Sequence, residues 1–205
     1  MAETFKFTDE RFADIQMLRY RLDGFEDLTL KQKLYIYYLA KATLCGRDIV
    51  TDQFGRHNLL IRKTLEAVYE NFMGDRTSHD FQALTVYLKR VWFSNGIHHH
   101  YGCEKFVPDF SEPFFIEAVR QVGADKLPLA EGQTVDSLLD ELCPVIFNPS
   151  VQAKRVNQKD GDDLVKTSAC NYYEDLSQKE VEDFYASMRN PEDLTPISYG
   201  LNSTL

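Results

Sequence analysis

Phe81-Gln82-Ala83-Leu84-Thr85-Val86-Tyr87-Leu88-Lys89-Arg90-Val91-Trp92-Phe93-Ser94-Asn95-Gly96 places Phe81, Leu84, Leu88 and Val91 three and four residues apart, with Trp92 beside the last. That spacing gathers them on one face of an α-helix. Thr77, with Asp80 three residues on, marks its start, and Asn95-Gly96 marks its stop. Ile97-His98-His99-His100-Tyr101-Gly102-Cys103-Glu104-Lys105-Phe106-Val107-Pro108 follows at once, a loop crowded with imidazole, phenol, thiol and glycine. Glycine permits tight turns and close backbone approach. A rigid helix delivering such a loop is a common way to build a binding surface.

Helical signals extend on both sides of this element. Upstream, Thr8 is read as the cap of a first helix carrying Phe12, Ile15 and Leu18 or Leu22. Thr29 and Gln32 form a capping box ahead of Leu34, Tyr35, Tyr38, Leu39 and Ala42, in a helix expected to end near Cys45-Gly46. Leu60, Ile61, Leu65, Val68, Tyr69 and Phe72 mark a third helix closed by Gly74. Downstream, Ser111 and Pro113 open a helix bearing Phe114, Phe115, Ala118, Val119 and Val122, stopped at Gly123. Leu138, Leu139 and Leu142 predict a shorter helix that breaks or bends before Pro144. The polar segment 152–168, with Asp160-Gly161 flanked by Val156 and Leu164-Val165, reads as an exposed β-hairpin. Ser177 and Glu180 form a second capping box for a helix over 177–189 with Val181, Phe184, Tyr185 and Met188. Residues 197–205 read as a strand just beginning. A lone strand needs a partner, so the chain is expected to be a piece of a larger structure.

The class that emerges is α+β and predominantly helical: mainly helical over 8–145, one exposed hairpin, and the start of a sheet. Two hundred and five residues suffice for one substantial domain, and a net charge of −9 without a Lys/Arg block argues against nucleic acid as a partner. No apolar run reaches the ~18 residues that a membrane span needs. The first residues lack the layout of a secretory signal. A soluble protein is expected, cytoplasmic or periplasmic. Cys45, Cys103, Cys143 and Cys170 are irregularly spaced, with no C-x-x-C pair, and are read as free thiols, mostly buried.

Hydrolytic chemistry finds little support in the residues themselves. The H-E-x-x-H spacing, which sets two imidazoles on one helix face with a glutamate to activate metal-bound water, is missing. So are the nucleophile elbow, the phosphate loop and the dinucleotide fingerprint. His57 and His79 are read as helix-surface or capping-region residues. In an extended loop His98 and His100 point one way and His99 the other, so at most two of them share one small ion. The loop is open to three readings: substrate or partner contact, plain packing, or a metal site. Cys103 lacks the electropositive setting of a catalytic thiol, with Glu104 directly beside it. Tyr35, Tyr37 and Tyr38 read as core packing with polar tips. Asn171-Tyr172-Tyr173 reads first as packing, with the wall of a cleft as the alternative.

Ser94-Asn95-Gly96 followed by Gly102-Cys103-Glu104-Lys105-Phe106-Val107-Pro108 resembles the S-N-x-G…F-G-x-x-K-F-V-P element of the dipeptidyl peptidase III family, zinc-dependent exopeptidases, in its bacterial branch. Leu34-Tyr35-Ile36-Tyr37-Tyr38-Leu39-Ala40-Lys41-Ala42 is similar to that family's L-Y-x-Y-x-L-x-x-A helix. Thr167-Ser168-Ala169-Cys170-Asn171-Tyr172-Tyr173 and Ser198-Tyr199-Gly200-Leu201-Asn202 follow in the expected order.

The resemblance implies a two-lobed peptidase that removes dipeptides from the N-terminus of oligopeptides. Zinc sits in its upper lobe on an H-E-x-x-G-H motif with a further glutamate. Neither zinc motif occurs in these residues. This chain is then expected to be the N-terminal, lower-lobe part, with an incomplete β-barrel, no metal of its own and no catalysis alone. Its partners would be an oligopeptide and a C-terminal catalytic lobe. The implied substrate-binding residues are Asn95, Gly96, His98 and Tyr101, with Tyr101 facing the cleft. The competing expectation is a non-enzymatic helical binding module that uses the His98–Tyr101 loop.

Overall fold

Local capping decides most of the helix boundaries. A computed structural model describes residues 5–195, and the chain divides into two units, Met1–Ile49 and Val50–Leu205. The helix α1 (Leu30–Cys45) belongs to the first unit. The Thr29 amide donates to Gln32 Oε1 at 2.9 Å, and the Gln32 amide donates back to Thr29 Oγ1 at 3.4 Å. Two orphan amides of the first turn are thereby satisfied.

Residues 8–18 correct the first expectation. They form a hairpin, β1 (Thr8–Phe12) and β2 (Ile15–Leu18), paired antiparallel with Phe12 opposite Ile15 and Arg11 opposite Gln16. Ala13, at φ 49°, turns the chain. The ladder is irregular between Thr8 and Arg11. There Gln16 Nε2 donates to the carbonyls of Asp9 at 3.1 Å and Glu10 at 3.3 Å, which stand in for the interrupted pairing. α1 itself has apolar residues on every side, interspersed with Lys31, Gln32, Lys33 and Lys41, and none of its residues is buried. Tyr35, Tyr37 and Tyr38 are therefore exposed and not core residues.

The helix α2 (Arg47–Gln53), which no periodicity announced, runs across the division. The second unit is built on α3 (Asn58–Asn71), α4 (His79–Ser94), α5 (Glu112–Gln121) and α6 (Val135–Phe147). Their inward faces supply one core, with Ile61 and Leu65, Leu84 and Val91, Phe115 and Val119, and Leu138 and Leu142 fully buried. Each such side chain contributes about 1.5–3 kcal/mol over leaving it in water. Stacked Phe72 and Phe81, 4.9 Å between centroids, lock the end of α3 to the start of α4.

Three local departures have physical causes. α4 is capped by Ser78, whose hydroxyl accepts from the Phe81 amide at 3.4 Å, because Thr77 is already turned back onto Asp75. α6 does not stop before Pro144 but runs through it to Phe147. The proline removes one hydrogen bond in the final turn, and the buried Val145 and Ile146 hold that turn against the core. Segment 152–168 is not a simple hairpin. Asp160-Gly161 does turn, with Gly161 at φ 86°, but Leu164-Val165 enters the short helix α7 (Leu164–Thr167) instead of pairing with Val156. Asp163 caps α7 through the Lys166 amide at 2.9 Å and also accepts the Gln178 amide at 3.0 Å, at the start of α8 (Gln178–Met188).

Among the described residues the fold is 51% helical with a single two-stranded antiparallel sheet, not closed into a barrel. The expected strand at 197–205 lies outside the described residues. No described helix is long and apolar enough to cross a membrane. All four cysteines are free, but only Cys143 is buried.

Candidate functional site: the turn after α4

α4 ends at Asn95, which adopts the left-handed conformation at φ 53° and ψ 39°, its amide donating to the Val91 carbonyl. Gly96 follows at φ 151°. The buried Asn58 side chain, from the start of α3, lies directly over it, and its Oδ1 accepts the Ile97 amide at 3.3 Å. The backbone then folds back on itself. Phe106 donates to the Ile97 carbonyl at 2.8 Å, His99 donates to the Glu104 carbonyl at 2.7 Å, and His98 bridges Lys105. The result is a narrow turn with its tip at residues 99–103.

The three histidines have three separate roles. His98 points inward and is 2% exposed. Its Nε2–H donates to the Gln152 carbonyl at 2.6 Å, since a carbonyl can only accept. Burial, with Lys105 and Arg155 nearby, pushes its pKa down to about 4, so the ring is neutral. His99 uses Nδ1 to accept the amides of Tyr101 at 3.2 Å and Gly102 at 3.0 Å, which shapes the tip. His100 is a stacking residue, edge-on to Phe93 at 4.9 Å and tilted against Tyr101 at 4.5 Å. Tyr101 rides on this stack and is 86% exposed.

Behind the turn, residues 152–156 and 168–171 continue the pairing. Lys154 bridges Glu104, the Arg155 amide donates to the Cys103 carbonyl at 2.8 Å, and the Ala169 amide donates to the Lys154 carbonyl at 2.9 Å. Lys105 Nζ bolts the turn to the end of α6 through the carbonyls of Asn148 at 2.6 Å and Val151 at 2.8 Å, and burial lowers its pKa to about 8. Gln152 joins two histidines, its carbonyl to His98 and its Nε2 to His57 Nδ1 at 2.8 Å. A pocket of about 540 Å³ opens behind this platform, lined by Arg56, Lys166, Ser168, Asn171, Tyr173 and Glu174 among others. Arg56 and Glu174 pair across it at 2.9 Å.

The four residues singled out from sequence separate into two groups. Tyr101 stands at the surface and Asn95 is half-buried at the helix end, where either can meet a ligand. Gly96 and His98 are buried and serve the turn itself, the His98 ring through its inward hydrogen bond. Asn171 and Tyr173 line the pocket, in keeping with the cleft-wall alternative to the packing that was their first reading. Arg155 and Gln152 escaped notice in the sequence. Their partners lie more than fifty residues away, and no motif marks them.

The arrangement does not fit a zinc ion. Among the described residues no group of three or more His, Cys, Asp or Glu side chains is placed to hold a metal. His98 and His99 already commit a ring nitrogen to the turn. Cys103 Sγ lies 3.6 Å from the Tyr101 carbonyl and 3.5 Å from Arg155 Nη2. No family model matches the chain, and no curated protein compared with it matches.

Proposed function

We propose that this chain is the substrate-cleft part of a dipeptidyl peptidase III-type zinc exopeptidase, binding oligopeptides whose N-terminal dipeptides are removed by metal chemistry housed elsewhere. The observation that carries the reading is Tyr101: an aromatic ring almost wholly in water, fixed from below by a stack and a hydrogen-bonded turn. An ordered exposed ring loses little conformational freedom when it receives a ligand, so more of its contact energy appears as affinity. The ordered run of family-like segments supports the same reading. The pocket beyond the ladder carries both signs of charge, which suits a zwitterionic peptide. α1 exposes Leu34, Tyr35, Ile36, Tyr38 and Leu39, an apolar surface that contact with a catalytic lobe would cover.

Two experiments test this. A short oligopeptide with a free amino end should bind the chain, as followed by calorimetry. Tyr101→Ala should weaken that binding about tenfold, equivalent to ~1.4 kcal/mol, and leave the melting temperature unchanged because the ring buries little. Equal affinity of wild type and variant would remove Tyr101 from the site, and no peptide binding at all would favour the helical binding module. On a dipeptidyl-arylamide with zinc or cobalt added, the chain alone should give no turnover. Metal-dependent hydrolysis by the chain alone would overturn the division of labour.

A further inference from the structure

The tip of the turn carries the strongly exposed Tyr101 ring, and it is held both from within and from outside. His99 Nδ1 takes two amides, and the Cys103 amide donates to the His99 carbonyl at 3.1 Å. The His100 carbonyl, immediately before Tyr101, is held from outside. Arg155 Nη2 donates to it at 3.0 Å and reaches Cys103 Sγ at 3.5 Å. The guanidinium carbon sits 4.4 Å from the centre of the Phe54 ring. The backbone of Arg155 also lies between the two neighbouring segments, its amide on the Cys103 carbonyl and its carbonyl on the Cys170 amide at 3.2 Å.

We propose that Arg155 is the positioning residue of the Tyr101 turn: its guanidinium clamps the turn through the His100 carbonyl and so fixes the ring that meets the peptide. The inference rests on the peptide-binding reading above, and it names which group outside the loop sets the loop's geometry. Three demands are met at once, a planar cation over an aromatic face, a donor to a carbonyl and a donor to sulfur. A guanidinium satisfies all three, because it is flat and carries donors in a fixed fork. A lysine ammonium is a point charge on a flexible stem and satisfies one at a time. The backbone bonds of residue 155 survive any side-chain replacement, so the platform persists while the tip loses its clamp.

The test uses Arg155→Met and Arg155→Lys in the whole chain, with penta-alanine as the probe peptide. Three quantities are read: amide exchange of residues 99–103, peptide affinity, and melting temperature. Both variants should exchange the tip amides at least tenfold faster, with protection of α4 and α5 unchanged. Affinity should fall about tenfold, and millimolar methylguanidinium should restore part of it to Arg155→Met. The double variant Tyr101→Ala/Arg155→Met should bind no more weakly than Tyr101→Ala alone, because the clamp acts only through that ring. Unchanged exchange at 99–103, or losses that add in the double variant, would overturn the proposal. Should Tyr101→Ala leave affinity untouched, Tyr101 leaves the peptide site, and the exchange data still decide whether Arg155 holds the turn.

Discussion

Gly96→Ala is expected to lower the melting temperature by about 10 °C. A Cβ at this position would lie 2.6 Å from Asn58 Cγ, and closer still to its Nδ2. Asn58 cannot step aside freely. It is 1% exposed, and its Oδ1 accepts the amide of Ile97, itself fully buried. Moving it leaves a buried N–H without its acceptor, which costs about 1–3 kcal/mol. The backbone at φ 151° adds strain for any residue with a Cβ, another ~1–3 kcal/mol. Together these reach about 4 kcal/mol, and each kcal/mol shifts the midpoint of a chain this size by roughly 2–4 °C.

Gly102→Ala is the control. There the added Cβ meets the exposed carboxylate end of Glu104, with Cδ at 2.6 Å, a flexible group that swings into water. Thermal unfolding followed by circular dichroism separates the two. A Gly96→Ala midpoint within about 2 °C of wild type would mean that the Asn58 contact relaxes without cost, contrary to the packing argument. Pairing Gly96→Ala with Asn58→Ala should be less damaging than the sum of the single changes, because the clash disappears while the backbone strain stays.

How far the chain could be read in advance depended on how local the deciding interaction is. α1 and α8 were legible from capping boxes at Thr29/Gln32 and Ser177/Glu180, since both partners lie within one turn. α4 was legible because its apolar face repeats over four turns. Residues 8–18 misled, because Phe12 and Ile15, three apart, suit one helix face as well as they suit facing positions across a tight turn. Pro144 misled because burial of Val145 and Ile146 outweighs the lost hydrogen bond. At the site, the loop could be read from the helix stop and the glycines, whereas an outward Tyr101 came only from the family resemblance. The inward turn of His98 could not be read, because its partner Gln152 lies 54 residues away. The same holds for Arg155, 55 residues from His100.

That inward histidine gives the chain a definite response to acid. His98 is neutral when folded, its pKa lowered from 6.5 to about 4, mainly by burial. Once unfolded it takes up a proton near its ordinary value. Between pH 6.5 and 4 the unfolded state therefore binds more protons, so stability is complete above 6.5 and is lost as pH falls toward 4. His57 is lowered as well, chiefly by burial, with Glu141 opposing and Arg56 adding, so it acts in the same direction. The carboxylates held below their usual range, Asp75, Asp163, Glu180 and Asp193, lose their contribution at lower pH, below about 4.5 by their ordinary values. The window from 6.5 to 5 thus belongs to the histidines. At about 1.36 kcal/mol per unit, His98 should remove roughly 2 kcal/mol between pH 6.5 and 5. Urea unfolding at pH 7 and pH 5 should show that loss, and His98→Asn should be less stable at pH 7 but lose less across the interval, with only the His57 contribution left. Wild-type stability that does not change between those two values would mean that His98 keeps its proton in the fold, with both ring nitrogens donating. That arrangement requires an acceptor at Nδ1, where among the described residues no hydrogen-bond partner stands, so a flat profile would count against the enclosed, dry setting of the ring.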